Sequence, residues 1–124
     1  KNAVYIENMG KNNYFSVLKI IDCMIGNSSS GIIESAAFSL PVINIGNRQK
    51  GRKMNKNIIN LKSNFNINKF KSNLNQAIST QFKKNLKNIK DLNYKKNTSL
   101  NMLNIIKKIN YTQIQPKKFY DIKF

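Results

Sequence analysis

Four short apolar runs, separated by helical patterns and polar segments, predict strands of a buried sheet. Strands that are apolar on both faces and alternate with helices are typical of a parallel sheet covered on both sides. Polar or turn-forming residues bound each run. The runs are AVYIE (3–7), CMIG (23–26), VINIG (42–46) and NIINL (57–61).

Apolar residues at helical spacing predict helices between and after these strands. A helix is expected through YFSVLKIID (14–22), and IIESAAFSL (32–40) predicts another that must end before Pro41. Further on, a long amphipathic helix is predicted over about 67–88, and Ser99 is expected to cap a last helix. The fold class is therefore α/β, a Rossmann-like parallel sheet flanked by helices.

The length of 124 residues is enough for one domain with a real core. We expect that core over residues 3–61, helices over about 67–109 and a tail over 110–124. The sequence opens with KNAVYIENMG, which has no initiator Met and enters an apolar run at once. We therefore expect residues 1–124 to be a single partial domain, the C-terminal piece of a longer protein.

The charge is strongly positive, with 22 Lys and Arg against 5 acidic residues and a net charge of +17. Such a balance raises the hypothesis of a nucleic-acid or membrane partner. The lysines, however, are spread along the whole chain among many Asn and Ile residues, a pattern that AT-rich coding produces. No aromatic-interleaved basic motif or zinc-ligand cluster is present, so we expect no specific nucleic-acid partner.

Three features of the sequence bear on the cellular location of the protein. No apolar stretch approaches the roughly 18 residues of a membrane span, and the first residues lack the pattern of a signal peptide. The single cysteine, Cys23, cannot form an internal disulfide and is expected to be a small buried apolar residue. We expect a cytoplasmic protein with no membrane partner.

The turn GNSSSG (26–31) lies between a predicted strand and a predicted helix. In parallel sheets ligands bind beyond the carboxyl ends of the strands, where free backbone N–H groups favour anions such as phosphate. Ser28, Ser29 and Ser30 add hydroxyl donors, and Gly31 allows close approach to the backbone. A phosphate site is one interpretation; an ordinary helix N-cap is the other.

Further polar residues adjoin this turn. Glu34 falls one turn into the helix, where its carboxylate could accept two ribose hydroxyls; the alternative is an acid favoured by the helix dipole. Arg48, Gln49 and Arg52 follow the next strand and would reach the same rim. An arginine there could bridge two phosphate oxygens, or be one more solvated cation.

The segments GNSSSGIIE, PVINIG and RQKGR, at their mutual spacing, resemble the C-terminal domain of the hydrolysing UDP-N-acetylglucosamine 2-epimerases. The resemblance covers about residues 3–61, and the closing KKFYDI also looks like the end of that family. Related non-hydrolysing epimerases carry an Asp-Ser-Gly-Gly type turn instead. The resemblance implies the C-terminal half of a glycosyltransferase-B type fold, with a nucleotide sugar in the cleft between two domains.

Site residues also follow from the resemblance. Ser28 and Ser29 match serines on the UDP diphosphate, and Gly31 keeps the turn. Glu34 matches the carboxylate on the ribose, and Arg48 an arginine near the phosphates. Additional candidates are Ser30, Gln49 and Arg52. The sequence departs from the family at Ser35-Ala36-Ala37 and at Asn47.

The chain itself offers no catalytic residue. By the resemblance, the catalytic acids and histidine lie in an N-terminal domain, and this sequence has no histidine. The complete enzyme, a homo-oligomer by the same reasoning, would eliminate UDP to a glycal and add water with inversion at C2. Its product, N-acetylmannosamine or a diacetamido analogue, serves sialic or legionaminic acid synthesis. No motif requires a metal or an organic cofactor.

Two other functions stay open. A UDP-sugar glycosyltransferase of the same fold would use the same kind of domain to hold UDP. A non-catalytic basic module that binds RNA or an acidic surface would instead show steep salt dependence and indifference to UDP.

Overall fold

The computed structural model describes residues 2–113 and contains a three-stranded parallel sheet. The strands are β1 (Met24–Gly26), β2 (Val42–Ile45) and β3 (Ile58–Leu61), and they lie side by side in that order. Met24 pairs with Val42, and Ile43 pairs with Ile59. Parallel pairing requires crossover connections, which the segments between the strands supply. The predicted α/β class with a parallel sheet is confirmed.

Helices cover both faces of this sheet. The described helices are α1 (Gly10–Ile20), α2 (Ser29–Ile33), α3 (Ile67–Ile78), α4 (Thr80–Leu86) and α5 (Thr98–Lys108), with 3₁₀ turns at Ser35–Phe38 and Tyr111–Gln113. On one face Ile43 and Leu61 pack against Ala77 of α3, all within 4% exposure. On the other face Val42 meets α2 at Gly31. Alternate residues of β2 thus point to opposite layers, as a strand requires.

The prediction of a strand at residues 3–7 is wrong. The structure has no regular element there, and Val4 and Tyr5 are 86% and 87% exposed. Residues of high β propensity form a strand only where a neighbouring strand accepts their backbone hydrogen bonds. Within residues 2–113 no strand pairs with this run.

The helix boundaries also differ from the predictions. The first helix begins at Gly10, four residues earlier than expected, and the Asn8 side chain accepts the Gly10 N–H. The long helix predicted over 67–88 is two helices, because Ser79 adopts an extended backbone and caps α4 by accepting the Phe82 N–H. The last helix begins at Thr98 after Asn97, so Ser99 is not its cap.

The helix expected over 32–40 is also shorter and earlier. Ser28 caps α2, which ends at Ile33, and a 3₁₀ turn follows. Ser35 explains the break, because its Oγ donates to the Gly31 carbonyl across 2.6 Å and draws the chain into the tighter turn. Ser39, with φ of 51°, then ends the turn before Pro41.

A buried polar cluster closes this segment. Asn57 Nδ2 donates to Ser35 Oγ (2.8 Å) and to the Leu40 carbonyl (2.7 Å), and both Ser35 and Asn57 are fully buried. The Asn57 carbonyl accepts the N–H of Val42, the first residue of β2. The cluster therefore ties the start of β3 to the end of the 3₁₀ turn.

Cys23 is half-buried and packs against the core residues Ile43, Leu61 and Ala77. Burial raises the pKa of its thiol above the ordinary value; the Ile43 backbone hydrogen bond and Lys83 oppose this only in part. Its surroundings are those of a small apolar residue.

The chain divides into two compact units, one up to Asn93 and the other from Tyr94. The second unit contains α5, whose side chains are all exposed within it. That both belong to one domain stays a prediction. Of the predicted tail over 110–124, the described part contains the 3₁₀ turn at Tyr111–Gln113, and residues 114–124, with the closing segment QPKKFYDIKF, lie outside the described residues. No helix within residues 2–113 is long and apolar enough to cross a membrane.

Candidate functional site

The serine turn lies at the carboxyl end of β1, as predicted. Ser28 has an extended backbone and caps α2, its Oγ accepting the Ser30 N–H across 3.3 Å. Ser28 and Ser29 are exposed. Two neighbouring hydroxyls therefore reach solvent where the first turn of a helix also leaves N–H groups free. N-capping and ligand contact are compatible here, because a hydroxyl that accepts can still donate its proton.

The helix that follows this turn is shorter than the one predicted from the sequence. With five residues, α2 sums few peptide dipoles. The dipole consequently contributes less than a three-turn helix would. Attraction for an anion at this turn depends mainly on the hydroxyls, on individual N–H groups and on nearby cations.

Gly31 has a structural role. It is buried in α2, and a Cβ at this position would lie 3.2 Å from Cγ1 of Val42 and 3.5 Å from Sδ of Met24. A glycine therefore lets α2 pack directly on β1 and β2. Its predicted role in ligand approach is a separate matter and stays a prediction.

Glu34 follows α2 and is half-buried. Ser30 Oγ donates to its Oε2 across 2.6 Å, and the Ser30 hydroxyl is also hydrogen-bonded to the hydroxyl of Tyr14. Sequence reasoning missed Tyr14. Its position four residues before the buried Leu18 places both on one face of α1 and is the signal that could have found it.

The residues after β2 separate into two groups. Gln49 is only 3% exposed, and its Nε2 donates to the Asn27 carbonyl across 2.7 Å. Arg48 is exposed. Because Asn27 and Gln49 immediately adjoin Ser28 and Arg48 in sequence, this bond brings the serine turn and the Arg48 loop together.

Arg52 lies elsewhere. It is exposed and lines a cavity with Ile32, Ile33 and Asn93, near the end of α2 that is opposite to Ser28. Its backbone N–H donates to the Gln49 carbonyl, so the loop remains compact between the two residues. The structure thus places the loop that contains Arg48 beside the serine turn, and Arg52 near the other end of α2.

A pocket with a volume of about 420 Å³ opens at the carboxyl ends of β2 and β3. Its lining includes Gly46, Asn47 and Lys50, together with Asn44 and Asn60, whose side chains are hydrogen-bonded to each other across 2.8 Å. Gly46 has φ of +80°, which allows the chain to turn sharply out of β2. The pocket lies on the edge of the sheet where parallel α/β folds bind ligands.

Residues 2–113 contain no group of three or more His, Cys, Asp or Glu side chains that could hold a metal ion. Within this range Glu34 is the acid that adjoins the serine turn, while Asp22 pairs with Lys83, and Asp91 accepts from Asn55. The arrangement can bind an anion and accept hydroxyls. Asp22 and Asp91 are engaged elsewhere and do not supply a second acid for acid–base chemistry at this turn.

Comparisons with known proteins show which family the chain resembles. The family model described as UDP-N-acetylglucosamine 2-epimerase matches residues 1–107. A GDP/UDP-N,N'-diacetylbacillosamine 2-epimerase (hydrolyzing) of Campylobacter jejuni is 53% identical over 62 residues, which are 50% of this chain and 16% of the relative.

Two further relatives extend the match. A UDP-N,N'-diacetylbacillosamine 2-epimerase (hydrolyzing) of Legionella pneumophila is 43% identical over 56 residues, 45% of this chain and 15% of the relative. Polysialic acid biosynthesis protein P7 of Escherichia coli is 32% identical over 119 residues, 95% of this chain and 30% of the relative. The chain thus spans less than a third of these relatives, and it belongs to the UDP-N-acetylglucosamine 2-epimerase family.

Proposed function

We propose that this chain supplies the UDP-binding part of a hydrolysing UDP-N-acetylglucosamine 2-epimerase. The observation that carries the proposal is the grouping of the exposed Ser28 and Ser29 with the loop of Arg48, one helical turn from Glu34. The serines and Arg48 hold the diphosphate, and Glu34 accepts ribose hydroxyls. Family membership favours this function over the glycosyltransferase and the basic binding module.

The complete protein, on this proposal, carries an N-terminal domain that faces the serine turn and provides the catalytic acids and histidine. It releases UDP by elimination across C1 and C2 of the sugar and adds water to the glycal with inversion at C2. The product is N-acetylmannosamine or a diacetamido analogue used for sialic or legionaminic acid. The enzyme acts in the cytoplasm as a homo-oligomer and needs no metal or organic cofactor.

Calorimetric titration of the complete protein with UDP and with pyrophosphate tests the diphosphate contacts. Arg48→Ala should weaken both ligands about 10- to 150-fold, since a hydrogen bond to a charged group is lost in each. Ser28→Ala combined with Ser29→Ala should also weaken both, but less, because backbone N–H donors remain. Lys56→Ala, which removes an exposed cation outside this group, is the matched control.

Unchanged affinities in the Arg48 and serine variants would show that the diphosphate does not bind at this turn.

A second test asks whether the chain has catalytic activity without the rest of the protein. The chain alone should release no UDP from UDP-N-acetylglucosamine, because it has no histidine and its few acids are scattered along the sequence. Turnover by the chain alone, at a rate near that of the complete enzyme, would refute the proposal that it supplies only the binding part.

A further inference from the structure

Three hydrogen-bonded side chains link α1 to Glu34, the candidate ribose acceptor. Ser30 Oγ donates to Glu34 Oε2, and the hydroxyls of Tyr14 and Ser30 are hydrogen-bonded to each other. A serine hydroxyl has one proton, and a carboxylate only accepts. Because Ser30 gives its proton to Glu34, the Tyr14 hydroxyl must donate to Ser30. The bonds therefore run from Tyr14 to Ser30 to Glu34.

Packing holds Tyr14, the first of these three side chains, in place. Tyr14 lies on the face of α1 that contains the buried Leu18. The next residue, Phe15, has its ring centroid 5.8 Å from that of Phe38, which belongs to the 3₁₀ turn directly after Glu34. Tyr14, Ser30 and Glu34 are all half-buried. Helix α1 and the 3₁₀ turn after Glu34 thus pack against each other and hold the two ends of this hydrogen-bonded series.

Ser30 differs in this respect from its two neighbours. The hydroxyls of Ser28 and Ser29 are exposed, whereas the Ser30 hydroxyl donates to a carboxylate inside the protein. A charge-assisted hydrogen bond of this kind fixes the orientation of the carboxylate. A side chain that is already oriented loses less conformational freedom when its ligand arrives.

We propose that Tyr14 and Ser30 are positioning residues for Glu34, an inference that rests on the proposed ribose contact. Ser30 occupies Oε2 and leaves the two lone pairs of Oε1 for the ribose hydroxyls, and Tyr14 holds Ser30 in the donating orientation. Ser30 on this account touches no phosphate. Its effect on binding reaches the ligand through Glu34 and depends on the ribose hydroxyls.

The test compares three ligands on the complete protein: UDP, 2′,3′-dideoxy-UDP and pyrophosphate. In the unmodified protein UDP should bind more tightly than its dideoxy analogue, because Glu34 accepts the hydroxyls. Ser30→Ala should shrink this preference about two- to tenfold and leave pyrophosphate affinity unchanged. Tyr14→Phe, which removes only the hydroxyl, should act in the same direction with a smaller factor.

Matched controls separate positioning from general damage. Ser16→Ala and Tyr5→Phe make the same chemical changes at exposed positions and should alter none of the three affinities. In the double variant, Ser30→Ala should add no further loss to Glu34→Ala, because both act on one contact. Melting temperatures of all variants show that each is folded at the titration temperature.

Other results would overturn the inference. Equal losses of UDP and pyrophosphate in Ser30→Ala would make Ser30 a phosphate contact, and an unchanged ligand preference would leave it without a role. An unchanged preference in Tyr14→Phe would exclude Tyr14 alone. If instead Glu34→Ala itself leaves the preference for UDP over dideoxy-UDP unchanged, the proposed ribose contact fails, which is a different outcome from failure of the positioning role.

Discussion

Ser28 lies just before α2 and Ser35 just after it, and the protein uses the two hydroxyls differently. Ser28 is exposed beside Ser29, with its proton available to a ligand. Ser35 is fully buried, donates to the Gly31 carbonyl and accepts from Asn57. The same residue type thus forms a candidate binding surface at one end and a closed hydrogen-bonded cluster at the other.

The difference shows which property separates the two roles. A hydroxyl whose proton and lone pairs are used inside the protein stabilises the fold, and a ligand gains nothing from it. An exposed hydroxyl contributes little to stability beyond its capping bond, so a ligand can use it at small cost. Ser30 lies between the two, because its proton is used on a residue that we propose contacts the ligand.

The largest effect is expected at the buried end. Asn57→Ala removes the donor to Ser35 Oγ, takes away the side-chain donor to the Leu40 carbonyl and leaves a cavity in a fully buried position. We expect a loss of about 2 to 4 kcal/mol in the free energy of unfolding, measured by urea denaturation. Asn13→Ala, at an exposed position of α1, should change it by less than about 0.5 kcal/mol. Equal stabilities of the two variants would show that the buried hydrogen bonds of Asn57 do not stabilise the fold.

Gly31, between the two ends, should show the next effect. Gly31→Val adds three carbons where a Cβ alone would already lie 3.2 Å from Val42. We expect a loss of about 1 to 3 kcal/mol in thermal or urea unfolding from overpacking. Ala37→Val enlarges an exposed residue of the 3₁₀ turn and should be nearly neutral. A neutral Gly31→Val would show that α2 does not need close packing on the sheet.

The two exposed serines should differ from each other. Ser28→Ala removes the acceptor of the Ser30 N–H and should lower the free energy of unfolding by about 1 kcal/mol, as for other N-caps. Ser29→Ala removes no such bond and should change it by less than about 0.5 kcal/mol. Both should weaken UDP. Should Ser28→Ala alone lower stability while neither weakens UDP, the turn would be an N-cap only.

Much of this could be predicted from sequence because it depends on local patterns. The apolar runs CMIG, VINIG and NIINL are each long enough to define a strand, and runs that are apolar on both faces favour a buried parallel sheet. The serine turn follows from its place directly after a strand. These features need no information on which distant residues meet.

The rest depends on distant contacts. The run at 3–7 has the composition of a strand, yet only the structure shows that it pairs with none within residues 2–113. Tyr14 meets Ser30, and Asn57 meets Ser35, across 16 and 22 positions of sequence. From the sequence Gln49 is a candidate ligand contact, and only the structure shows that it is buried and that its amide donates to the Asn27 carbonyl.

The most direct test of the central claim is the effect of Glu34→Ala on UDP affinity relative to pyrophosphate affinity, measured by calorimetry on the complete protein. Removal of the carboxylate leaves ribose hydroxyls without a partner, a loss of about 1 to 3 kcal/mol. UDP should therefore bind about 5- to 150-fold more weakly. Pyrophosphate has no ribose and should bind as before or slightly better. An unchanged UDP affinity would show that Glu34 does not contact the ribose and that its carboxylate only accepts the Ser30 hydroxyl within the protein.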